Sequence, residues 1–217
     1  MVMERQFAAD AKAETPHPTG WSAALLLVHV ATWREQLLNG LRQAEHGGEA
    51  QPPGNVDEFN AVELARGAGV SLEDAVGQSQ DRLAELIDRW KTMGDRPFHW
   101  YVARTTGEAL IRNSYSHPRN HIAEHFIELG NSERGHQLYE ETAAELRKAG
   151  APGHTLGAAI YNLACARVAQ GRHHDALRLL EEAIPLRDDL RTTAASDPEL
   201  EPLRDNPRFR ALVEPAR

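Results

Sequence analysis

Three histidines stand four residues apart, at His117, His121 and His125. On a helix, positions i and i+4 share one face about one turn apart. Two imidazoles placed that way can hold one divalent ion, and imidazole nitrogen suits zinc, nickel, iron and copper. A third ligand must then come from elsewhere, and His29 lies in the middle of an amphipathic segment far upstream. Three protein ligands leave positions open for water or substrate, the arrangement of a catalytic rather than a structural metal. The ion would acidify a water molecule or a thiol. Pro118 leaves the ligand pair open. Either the helix bends at His117, or a fresh helix starts at Pro118 with His117 at its cap, which favours His121 with His125 over His117 with His121. His121 belongs to both.

Other residues are candidates for supporting roles. Glu124 and Glu108 could serve as base or as partner to a ligand, although no spacing rule singles them out. Trp33, Trp90, Trp100 and Tyr115 are large aromatics expected near the site, each more often core than ligand platform. Arg104 and Arg112 lie two turns apart on the expected histidine helix and could receive an anionic substrate, with a surface role the commoner outcome. His173 and His174 are adjacent, so they point in different directions on a helix and are expected in solvent. Cys165 is expected to be a buried, small apolar residue. The chain holds no phosphate loop, dinucleotide fingerprint, serine elbow or zinc-finger spacing.

The elements that must position these groups read as helices throughout, so the chain is all-α. Residues 1–20 form a short lead-in ending in a turn over Pro16–Gly20. A first long helix spans Ser22 to Glu45, with Ser22 as cap. Its apolar stripe is Leu26, His29, Val30, Trp33, Leu37, Leu38 and Leu41, and Arg34, Glu35 and Gln36 face outward. The linker His46–Val56 holds three Gly and two Pro. A short helix, Asp57–Arg66, follows. The next runs from a Ser71 cap to about Lys91 and turns Leu72, Ala75, Val76, Leu83, Leu86, Ile87 and Trp90 inward. After a break at Gly94–Pro97, Trp100–Leu129 carries the histidines and ends at Gly130. Ser132–Lys148, Thr155–Gln170 and His173–Leu186 are further helices, the last two a hairpin around Gly171. Asp197-Pro198 and Asn206-Pro207 open short pieces that end at Phe209–Val213.

Bulk numbers narrow the partners. The 217 residues suit one medium domain or two small ones. Acidic residues number 32 against 24 Lys and Arg, for a net charge of −8, which argues against nucleic acid as a partner. One cysteine forbids an intrachain disulfide and agrees with a cytoplasmic location. Met1–Pro18 carries no apolar signal core, and the longest apolar run, Ala23–Val28, is too short to span a bilayer. No membrane association is expected.

Each half carries a resemblance. GWSAALLLVHVATW (Gly20–Trp33), EFNAVELAR around Asn60, SLEDAVGQSQDRLAELI (Ser71–Ile87) and SYSHPRNHIAEH (Ser114–His125) together resemble the DinB-like superfamily of four-helix bundles, in particular its DfsB-like branch. The match covers roughly residues 18–130. It implies a divalent metal, zinc, nickel or iron, held by His29, His117 and His121. The chain departs from the pattern at the front, where the opening helix of the bundle is short or absent. That leaves an open groove, a bundle completed by a second copy, or one completed by the repeat helices, and the exposed apolar face makes a homodimer the expectation. YNLACARVAQGRHHDALRLLEEAIPL (Tyr161–Leu186) resembles a tetratricopeptide repeat. Ala164, Ala176 and Ala183 stand at helix contacts, Gly171 at the turn, and Leu163, Leu177 and Leu180 in the interface. Pro185 is displaced from the repeat's usual end. ELGNSERGHQLYEE (Glu128–Glu141) is a weaker copy, with Gly135 at a helix contact. The tail SDPELEPLRDNPRFRALV (Ser196–Val213) is similar to a closing segment. The expected domains are therefore a metal-binding bundle over residues 1–130 and repeat-like hairpins with a cap over 131–217.

Two functions from different classes follow. One is a metal-dependent hydrolase or thiol transferase acting on a small reactive compound, in detoxification or self-resistance. The other is a non-catalytic scaffold whose repeats hold a protein or peptide.

Overall fold

The computed structural model describes residues 2–11 and 21–214. The turn expected over Pro16–Gly20 lies outside them. The described chain is all-α apart from one small hairpin, and it forms two compact units, Met1–Ser132 and Glu133–Arg217. No helix is long and apolar enough to cross a membrane.

The first unit opens with α1 (Val2–Asp10), so the expected frayed lead-in is in part a helix that buries Glu4 and Phe7. α2 (Ala23–Glu45) is the central element. Ser22 Oγ accepts the Leu25 N–H and caps it. Fourteen of its residues are buried, so it is enclosed on nearly all sides. This corrects the outward placement of Arg34, which is 0% exposed and pairs with Glu4 of α1 at 2.6 Å. The reason is register. Leu27, Val30, Arg34, Leu37 and Leu41 recur at three- and four-residue steps, which puts Arg34 on a buried face. Burial of this charge is tolerated because both Nη groups are matched, Nη1 to Ser79 O and Oγ and Nη2 to Glu4 Oε1 and Ser114 O, while Nε has no partner among the described residues.

α3 (Val56–Gly67) packs on α2, and Gly67 permits the approach, since a Cβ there would lie 2.6 Å from Val28 Cγ1. α4 (Leu72–Met93) is capped by Ser71, whose Oγ accepts the Asp74 N–H. Of its expected inward residues, Ala75 and Leu86 are buried and the others half-buried. Polar Ser79 and Gln80 are buried as well, bonded to Arg34 and Arg5.

A hairpin, β1 (Pro97–Trp100) and β2 (Ala103–Thr105), replaces the expected start of the histidine helix. Its burial has period two, with Phe98 and Trp100 inside and Pro97 and His99 outside. The segment is too short to outweigh the helical pattern around it. Trp100 joins Leu37, Leu38, Leu41, Leu86 and Phe98 in the core, against Gly40, where a Cβ would come within 2.7 Å of its ring. α5 (Thr106–Ile111) leads through a π-helical turn, Arg112–Ser116, directly into α6 (His117–Glu128). Gly130, at φ +84°, ends it.

The second unit contains α7 (Ser132–Lys148), α8 (Gly153–Ala169) and α9 (His173–Leu186). α8 and α9 form an antiparallel hairpin about Gly171, at φ +71°. Ala164, Ala176, Ala183, Leu163, Leu177 and Leu180 are all buried, and His173 and His174 are exposed. α10 (Leu190–Ser196), a 3₁₀ turn over Pro198–Leu203 capped by Asp197, and α11 (Pro207–Val213) capped by Asn206 complete the unit.

Candidate metal centre

Pro118 decides the geometry. It has no N–H, and its ring would collide with the carbonyl four residues back, that of Ser114. The chain neither stops nor starts afresh. It widens into the π-helical turn, in which His117 N–H bonds to Arg112 O five residues back. The released Ser114 carbonyl accepts Arg34 Nη2 at 3.2 Å. Helix α6 then holds His117 and His121 one turn apart, with Pro118 in its first turn.

His29, from the buried face of α2, meets them. His117 Nε2 lies 3.2 Å from His29 Nε2 and 3.0 Å from His121 Nε2. His125 points elsewhere: its ring packs edge-on against Phe7 of α1, with centroids 5.1 Å apart. The trio His29, His117 and His121 can thus hold a metal ion, and His125 is no substitute for His117.

Hydrogen bonding alone does not account for the cluster. An imidazole nitrogen has either one proton to give or one lone pair to receive. His117 Nε2 faces two other Nε2 atoms and can satisfy only one of them. A cation shared by three lone pairs satisfies all three. The spacing agrees with this. Ligand nitrogens at 2.0–2.1 Å from an ion are about 3.0 Å apart for an octahedral pair and about 3.3 Å for a tetrahedral pair.

The protonation states also suit ligands. Burial, followed by the charge of His121, pushes His29 down to about 3. Burial and the neighbouring His121, His29, Arg112 and Arg34 hold His117 well below the usual imidazole range. Both rings therefore stay neutral at pH 7. His121 Nδ1 lies 3.1 Å from Glu124 Oε2. An ionised carboxylate only accepts, so Nδ1 carries the proton and Nε2 presents its lone pair. Glu124 thus orients a ligand. Glu108 accepts the Arg104 N–H of β2 at 2.6 Å.

A cavity of about 340 Å³ opens beside the cluster, lined by the three histidines with Trp33, Val56, Asn60, Tyr101, Arg112 and Asn113. Of the four aromatics expected near the site, Trp33 alone lines it. Trp100 belongs to the core, Tyr115 stacks with Arg119, and Trp90 is not at the cavity. Arg104 falls on β2, exposed and away from the cavity, whereas Arg112 lines it. Tyr101 had no sequence signal. It sits at the hairpin tip with φ +52°, the sole non-glycine residue at positive φ among those described. This uncommon conformation is secured by Tyr101 Oη donating to Pro53 O at 2.8 Å and by the Arg112 guanidinium 5.0 Å above its ring. Trp21 closes another side, with ring centroids 4.9 Å from His29 and 5.9 Å from His121.

In the second unit, Cys165, Asp197 and Glu199 also gather in a group of possible ligands. Cys165 is buried, and burial with the nearby carboxylates pushes its thiol up, so it is no nucleophile at pH 7. Comparison of the chain with family models, curated proteins and solved structures gives no match.

Proposed function

We propose that this is a metal-dependent protein of the DinB-like kind, with one divalent ion held by His29, His117 and His121. We read its second unit as tetratricopeptide-like hairpins with a cap. The observation that carries the proposal is the convergence of three Nε2 atoms that cannot all satisfy one another. Zinc, nickel and iron suit an all-imidazole set. When bound, the ion supplies a Lewis acid and leaves positions for water or substrate. The chain's own residues do the rest. Burial keeps His29 and His117 neutral, Glu124 fixes the tautomer of His121, and Trp33 and Tyr101 give the cavity beside them its aromatic wall. The cavity, about 340 Å³, is of a size that receives a small molecule. The reaction class that fits is hydrolysis or thiol transfer on a small reactive compound, serving detoxification or self-resistance. Metal analysis of protein purified without a histidine tag is the test. About one equivalent per chain, absent in His121→Ala, is expected. A wild-type chain that stays metal-free after challenge with zinc and nickel overturns the proposal.

A second reading is favoured by one fact: every described residue lining the cavity belongs to the first unit. The second unit then needs another role, and holding a protein or peptide partner is the one repeat hairpins serve. A chain ended after Ser132 that keeps its metal but loses its co-purifying partners supports this reading. One that keeps them refutes it.

A further inference from the structure

Helix α1 is too short to hold its shape alone. It has nine residues, and an isolated helix below roughly 12–15 residues is marginal in water. Its order therefore depends on what it docks against. Glu4 and Phe7, one turn apart and each 2% exposed, face the bundle. Glu4 Oε1 accepts Arg34 Nη2 at 2.6 Å, and Oε2 accepts Ser79 Oγ at 3.1 Å. Beside them, Arg5 Nε and Nη2 donate to Gln80 Oε1 at 3.0 and 2.8 Å. The Phe7 ring stands edge-on to His125 and Phe126, with centroids 5.1 and 5.7 Å away.

These contacts fall on the two helices that carry the candidate ligands. Arg34 lies on α2, five residues after His29, and His125 lies on α6, one turn after His121. Helix α1 thus spans the pair of helices whose approach brings the three Nε2 atoms together. The link to His117 is closer still. The Arg34 nitrogen that Glu4 holds, Nη2, also donates to Ser114 O at 3.2 Å. That carbonyl is the one Pro118 releases, and its new partner secures the π-helical turn that aims His117. Without Glu4, Arg34 is a buried cation lacking its anion. The donor to Ser114 O is then no longer fixed in place.

We propose that Glu4 and Phe7 are positioning residues of the metal centre and that α1 is its latch: docking of α1 and binding of the ion stabilise each other. The proposal rests on the reading of the histidine cluster as a metal site and names the regulation of that site. Linkage makes the effect reciprocal. An ion that draws α2 and α6 together through their histidines tightens the seat of α1, and whatever undocks α1 loosens the ion.

The test uses the full chain. Hydrogen–deuterium exchange of the α1 amides is read in chelator-treated and zinc-loaded wild type. Zinc affinity is measured by competition with a chromophoric chelator in wild type, Phe7→Ala, Phe7→Leu, Glu4→Gln and Leu86→Ala. Zinc is expected to slow α1 exchange about tenfold. Phe7→Ala and Glu4→Gln are each expected to weaken zinc about tenfold, and Phe7→Leu, which keeps most of the apolar contact, to fall between. Leu86→Ala opens a cavity in the Trp100 core and destabilises the same unit, yet is expected to keep wild-type zinc affinity. Equal α1 exchange in the two forms of wild type overturns the proposal without relying on any variant. Wild-type zinc affinity in Phe7→Ala and Glu4→Gln overturns it as well. So does a loss in Leu86→Ala as large as theirs, which would be the mark of general stability. A wild-type chain that takes no zinc refutes the metal centre and the latch with it. One that takes one zinc while α1 exchange stays unmoved refutes the latch alone.

Discussion

Each unit gathers three groups able to bind a metal, His29–His117–His121 in the first and Cys165–Asp197–Glu199 in the second. Their surroundings differ. In the second unit the groups are already occupied. Asp197 caps the 3₁₀ turn by accepting the Glu199 N–H at 2.9 Å and takes the Tyr161 hydroxyl at 2.6 Å. The Cys165 thiol is held protonated and bonds to Glu199. In the first unit the nitrogens point at one another with no complete internal solution. Proximity of ligand types therefore says little about a site. What matters is whether the groups can satisfy themselves without an ion.

Removing one member from each cluster gives the largest contrast. His117→Ala is expected to lower zinc affinity by at least about 100-fold, since two imidazoles remain from a three-ligand set. Cys165→Ala is expected to leave zinc content unchanged. Equilibrium dialysis with zinc measures both. Zinc lost from Cys165→Ala and kept in His117→Ala would reverse the assignment.

The next test asks what the histidine cluster stands on. Arg34→Ala leaves Glu4 buried without its cation and is expected to cost about 3–5 kcal/mol in urea unfolding. Arg34→Met with Glu4→Leu removes both charges and is expected to recover most of that stability. Zinc binding is expected to remain weakened in the double variant. The Ser114 carbonyl has then lost its Arg34 donor, and the turn that aims His117 is less firmly held. Full zinc affinity there would show that Arg34 serves stability alone.

The same comparison shows what is readable from residues. The all-α class follows from period, and caps such as Ser22 and Ser71 stand where their hydroxyls predict. His29, far away in sequence, is reachable through the resemblance, not through spacing. Pro118 announces a disturbance but not its kind, because a π-helical turn depends on whether a partner exists for the freed carbonyl. That partner, Arg34, reads as a surface charge by residue type, even though its register with Val30, Leu37 and Leu41 marks a buried face. Tyr101 is invisible for a different reason. Its place is set by a two-stranded hairpin and a positive φ, neither of which has a sequence period.

Acid and alkali should separate the two units. His29 and His117 are depressed in the folded state. Above pH 6.5 both are neutral folded or unfolded, and neither contributes. Below it the unfolded chain takes up protons that the fold refuses, so stability falls as pH drops toward about 3 for His29. For His29 the loss by pH 5.5 is about 1.4 kcal/mol, and His117 adds in the same direction. Cys165 and Tyr161 are raised, so their unfolded forms release protons first and stability falls as pH rises above about 8.5. Urea unfolding of metal-free protein at pH 5.5, 7 and 9.5, followed by tryptophan fluorescence for the first unit, checks the acid limb. All four tryptophans belong to that unit. A first unit equally stable at pH 5.5 and pH 7 would contradict the burial of both rings as neutral groups.

The smallest effect is the sharpest control on the second cluster. Tyr161→Phe deletes one hydrogen bond, from a buried phenol to Asp197 Oδ2. Asp197 keeps the Glu199 N–H, so its carboxylate is not stranded. The cost expected is about 1 kcal/mol in the unfolding of the second unit, read by far-ultraviolet circular dichroism. Zinc content of the chain should not move. If Tyr161→Phe instead creates a second zinc equivalent, the Cys165–Asp197–Glu199 group was kept from metal by that one hydroxyl. The distinction between a satisfied cluster and an unsatisfied one would then be a matter of a single bond rather than of the whole network.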